Sequence, residues 1–93
     1  MSLLGRYTKQ PAEVLDYEID YTDWMEGRAD LPASHVVAAE PGITVVGSAR
    51  DGNKVTVALS GGADGQSYKI TVLLTTTSGM VREADFQVSV KAV

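Results

Sequence analysis

No cysteine occurs in the 93 residues, so neither an inter-sheet disulfide nor a thiolate metal site is available, and packing alone must hold the fold. That suits a protein made in a reducing compartment. Positive charge is also scarce: 8 Lys and Arg stand against 12 Asp and Glu, for a formal net charge of −4. No basic cluster is interleaved with aromatics, which argues against a nucleic-acid partner. No apolar run is long enough to cross a bilayer, so no membrane span is expected. The opening Met1-Ser2-Leu3-Leu4-Gly5-Arg6 lacks the apolar core of a secretory signal, and synthesis in the cytoplasm is the expectation. The length is that of one domain, too short for a second core.

What the chain does have is alternation. Leu15, Tyr17, Ile19 and Tyr21 share one face of a segment over 14–21, and Asp16, Glu18 and Asp20 share the other, a strand with one wet face. Further strands are predicted over 34–39, 43–49, 54–60, 68–77 and 81–90, separated by Pro41-Gly42, Arg50-Asp51-Gly52-Asn53 and Ser78-Gly79-Met80. The segment over 23–30 breaks the period and reads as a loop or a single helical turn with Asp23 as its N-cap. Residues 1–12 lack periodicity and are expected to form an extended or mobile arm before a domain over 13–93. A seventh strand would come from that arm or from residues 24–31.

The most telling stretch runs from Leu59 to Ile70. Val55, Val57 and Leu59 alternate before it and Tyr68, Ile70, Val72 and Leu74 after it, while Gly61, Gly62 and Gly65 let the chain turn between the two strands. A tyrosine placed like Tyr68 marks the corner where an immunoglobulin-like chain crosses between sheets, its hydroxyl bonded to backbone just upstream. An ordinary core aromatic is the other reading of Tyr68. The expected architecture is an all-β, immunoglobulin-like antiparallel β-sandwich of about seven strands, with Gly65 and Tyr68 as its structural corner.

Residues capable of chemistry do not converge. The single histidine, His35, follows Ser34 on a predicted strand, so the two side chains point to opposite faces and make no nucleophile–base pair. No phosphate loop or zinc spacing is present, and neither catalytic residues nor a cofactor or metal are expected. Asp16, Glu18 and Asp20, with Asp23 following, suggest calcium, but same-face strand residues lie ~7 Å apart and fit one ion poorly. A solvated edge that discourages aggregation accounts for them better. Tyr21, Trp24 and Arg28 form the candidate partner-binding cluster, since Trp and Arg are frequent anchors of interfaces. Trp24 is equally suited to plugging the end of the sandwich.

Several motifs in order carry a resemblance: Asp16-Tyr17, Asp20-Tyr21-x-Asp23-Trp24, Pro41-Gly42-Ile43-Thr44-Val45, Leu59-Ser60-Gly61-Gly62-x-x-Gly65-x-x-Tyr68 and Thr75-Thr76-x-x-Gly79. Together they resemble a family of phage and prophage fibre-tail or head-tail adaptor-like structural proteins with an immunoglobulin-like β-sandwich. The resemblance implies a non-enzymatic virion component, made in the host cytoplasm, that works in assembly. Its implied partners are other phage structural proteins or further copies of itself. The alternative is a recognition module for a glycan or host-surface polymer, with Trp24 and Tyr21 as the aromatics to meet it.

Overall fold

The structure, a computed structural model, describes residues 3–92. The described residues form seven strands: β1 (Leu3–Lys9), β2 (Leu15–Asp20), β3 (Pro32–Ala39), β4 (Ile43–Asp51), β5 (Lys54–Gly61), β6 (Ser67–Thr76) and β7 (Val81–Val90). One helical turn, α1 (Thr22–Met25), follows β2. A four-stranded sheet of order β1-β7-β6-β3 packs on a three-stranded sheet of order β2-β5-β4. With β2 to β7 taken as strands B to G of an immunoglobulin constant-type domain, the orders B-E-D and C-F-G are those of that sandwich. The first strand differs. It has left the edge beside β2 and pairs in parallel with β7.

Alternation dictates the core. Val55, Val57 and Leu59 of β5 face Ile70, Val72 and Leu74 of β6 and Phe86, Val88 and Val90 of β7, and all nine are buried. Each such side chain contributes about 1.5–3 kcal/mol on leaving water. These strands are the inner members of their sheets, and the alternation runs the length of β5 and β6 and from Phe86 to the end of β7.

At the edges the pattern is modified. The β4–β5 register shifts between Val45 and Gly47, which pushes Val46 out as a bulge and exchanges the faces of the residues beyond it. Ser48 and Arg50 thereby come to lie opposite the buried Val57 and Val55. They then close the gap toward β3: His35 Nε2 lies 2.9 Å from Ser48 Oγ, and the Arg50 guanidinium donates to the Pro32 and Ala33 carbonyls at 3.3 and 3.2 Å. The opposite gap, between β1 and β2, is closed by aromatics. The Tyr7 and Tyr17 rings are 5.2 Å apart, and Phe86 lies beneath both.

The expected arm over 1–12 is thus, from Leu3 to Lys9, an edge strand, and it supplies the seventh strand. Two inward side chains anchor it, Tyr7 on the aromatic cluster and Lys9, whose ammonium donates to the carbonyls of Gly61 and Gln10. Residues 1 and 2 of that arm, and residue 93 at the end of the expected domain, lie outside the described residues.

Candidate functional site

The sandwich, 46 × 23 × 18 Å in extent, offers two ends. At one, the corner end, Tyr68 is buried and its hydroxyl accepts a hydrogen bond from the Ala63 backbone N–H at 3.0 Å, five residues upstream. Gly65 turns the chain at φ +85° and its N–H donates to the Val90 carbonyl at 2.8 Å. Gly62 allows the loop to lie against β7, because a Cβ there would sit 2.6 Å from Val90 Cγ2. The aromatic of this end is turned inward, while Val14 beside it is exposed.

The other end holds α1, the loop that follows it and the β6–β7 turn. Tyr21, expected among the partner contacts, is instead a core residue: it is 4% exposed and its hydroxyl donates to the Val72 carbonyl at 3.1 Å. Burial pushes its pKa up to about 12. The reason was present in its spacing, since Tyr21 continues the inward series Leu15, Tyr17, Ile19. Asp23 is not the N-cap either. That position is Tyr21 itself, and the backbone N–H and hydroxyl of Thr22 bond instead to Asp20. These bonds, the hydroxyl one foremost, lower the pKa of Asp20.

Trp24 is half-buried and packs against the core. Its outer face is covered by Arg28, whose guanidinium carbon lies 4.5 Å from the ring centroid and whose Nε donates to the Trp24 carbonyl at 2.9 Å. Stacking a cation on indole fixes both groups in one arrangement. Trp24 therefore plugs the core on one face and carries an exposed cation on the other.

Asp30 fixes the rest of the loop. Its Oδ1 accepts from the Thr77 hydroxyl at 2.6 Å and the Ser78 N–H at 3.2 Å, and its Oδ2 accepts from the Ser78 hydroxyl. Hydrogen bonds from Ser78, Thr76 and Thr77 hold this carboxyl well below the usual carboxylate range. The Thr77 N–H also donates to the Leu31 carbonyl at 2.9 Å. The loop is thereby tied to the β6–β7 turn, and three large apolar side chains are left in water beside the tie: Leu31 at 68%, Met80 at 53% and Val81 at 57% exposure. Sequence reasoning passed over this trio. For Val81 the signal was available, since it is out of phase with the inward Phe86, Val88 and Val90.

The remaining candidates stay apart. Asp16, Glu18 and Asp20 are exposed along β2, where Glu18 meets Lys54 at 3.9 Å. Among the described residues no three His, Asp or Glu side chains are grouped so as to hold a metal ion. His35 touches Ser48 and not Ser34. The α1 end thus combines exposed apolar side chains with a Trp–Arg stack.

No curated protein matches the chain. A family model described as "Podophage GP4 fiber-tail adaptor protein gp77" matches residues 9–89, which takes in β2 to β6 whole and β7 as far as Ser89. On that match, spanning nearly all of the sandwich, the chain belongs to the podophage GP4 fiber-tail adaptor protein gp77 family.

Proposed function

We propose that this protein is a non-enzymatic virion component that joins other phage structural proteins, and that it holds one of them through the α1 end. The observation that carries this reading is the exposure of Leu31, Met80 and Val81 at the same end of the sandwich as the Trp24–Arg28 stack. Trp and Arg are the residues that most often anchor an interface, and exposed apolar groups at the same end supply area to bury around them. The Asp30 hydrogen bonds hold that surface ready, so little loop entropy is lost on docking. Glycan recognition has less support, because Tyr21 is buried and the remaining aromatic of the cluster is covered by Arg28.

The test is incorporation into particles by Arg28→Glu and Met80→Asp variants, each checked for an unchanged unfolding midpoint. Both side chains are exposed, so the fold is expected to survive while incorporation falls at least tenfold. Wild-type incorporation of both folded variants would refute the proposed contact.

A further inference from the structure

Two buried side-chain polar atoms lack a hydrogen-bond partner among the described residues: the Tyr17 hydroxyl and Oδ1 of Asp85. Both lie along β1. Tyr17 packs its ring against Tyr7, and Asp85 is the register partner of Leu3. A third polar group is desolvated at the far end of the same strand. Lys9 is 1% exposed, and its ammonium is held by the carbonyls of Gly61, Gln10 and Pro11 at 2.7, 2.8 and 3.4 Å. Three carbonyls compensate the Lys9 ammonium, but the unpartnered Tyr17 hydroxyl and Asp85 Oδ1 oppose the docking of whatever covers them. The strand at this site is therefore held less firmly than its contacts alone would suggest.

Its attachment is also one-sided. β1 pairs with β7 alone, in the parallel sense, and the register breaks between Leu3 and Arg6. Tyr7 remains 43% exposed while it covers Tyr17 and Phe86. The family match begins at residue 9, so nearly all of β1 lies outside the matched unit. Yet the site cannot stay bare, because it would leave the edge of β7 unpaired and the Tyr17–Phe86 face open to water.

We propose that β1 is an exchangeable strand: the β1 of one copy leaves its own β7 and docks at the same place on a second copy. The occupant is a second copy because the contacts that hold the strand belong to its own sequence. Tyr7 fills the space over Tyr17 and Phe86, Gly5 leaves room for the Tyr7 hydroxyl, where a Cβ would stand at 3.0 Å, and Lys9 reaches the Gly61 carbonyl. A neighbour's β1 remakes all of these contacts. The connection through Gln10–Val14 is the part that changes conformation, and such an exchange is a low-cost route to association. This inference goes beyond the contact surface proposed above and stands or falls separately from it.

Thr8 and Ser89 are register partners on β1 and β7, and the chain brings no thiol of its own. Thr8→Cys and Ser89→Cys proteins, mixed at high concentration and then oxidised, are expected to give a disulfide-linked heterodimer. It should exceed the homodimer background of either variant alone by at least tenfold and grow with incubation time. The T8C/S89C double variant, oxidised when dilute, should close within one chain, at a separation that a disulfide spans. Internal closure of the double variant without heterodimer in the mixture would overturn the exchange. Failure of the double variant to close would overturn it too, since β1 would not then be seated on β7.

Discussion

The two ends of the sandwich are closed by different means. At the corner end the tyrosine and its partner lie near one another in the chain: Tyr68 takes its hydrogen bond from Ala63, and Gly62 and Gly65 shape the loop between β5 and β6, which then rests on β7 at Val90. At the α1 end the closing group is one carboxylate, Asp30, bonded to Thr77 and Ser78 nearly fifty residues away. The first end spends its aromatic on itself. The second ties down a loop and leaves Leu31, Met80 and Val81 outside. On the function proposed above, the closed corner serves stability and the pinned loop with its exposed apolar groups serves contact.

Substitution should separate the two. Gly62→Ala places a Cβ 2.6 Å from Val90 Cγ2 at a residue with φ +95°. Left-handed strain and overpacking together predict a loss of about 3 kcal/mol, measurable by urea unfolding. A loss under a third of that would mean that the corner is soft. Tyr68→Phe keeps the ring and removes the acceptor for the Ala63 N–H, so about 1 kcal/mol is expected from the same measurement. No change would mean that Tyr68 acts only as a core aromatic.

The smallest effect on global stability, and the most local, is expected from acid. The folded pKa of Asp30 is lowered from 3.8, so its contribution is fully present above that value and is lost as pH falls below it. Asp20, lowered by its bonds to Thr22, acts in the same direction at the same end. Amide exchange at Ser78 and Leu31, compared between pH 5 and pH 3 after correction for intrinsic rates, should quicken, while the Ala63 amide stays protected. Asp30→Asn should show the quickened pattern at pH 5 already. Equal loosening of both ends would remove the distinction between them.

The contrast between the ends also explains what the sequence disclosed. β2 to β7 follow from alternation and from Gly- and Pro-bearing turns, and the corner could be located because its parts are neighbours in the chain. β1 was hidden because two of its inward positions are Gly5 and Lys9, which conceal the period, and because its partner is the last strand. The bulge at Val46 places Ser48 and Arg50 on the inward side, against the alternation set by Ile43 and Val45. Asp30 carried no local signal, since its partners are brought to it by the fold. Within the candidate cluster, Trp24 and Arg28 do stack, but Tyr21 belongs to the core.

The most direct measurement is hydrogen exchange of the protein free and assembled in the particle. If the α1 end is the contact, residues 22–31 and 77–81 gain protection on assembly while 61–66 do not change. Protection gained at 61–66, with 22–31 and 77–81 unaltered, would contradict the assignment of the two ends.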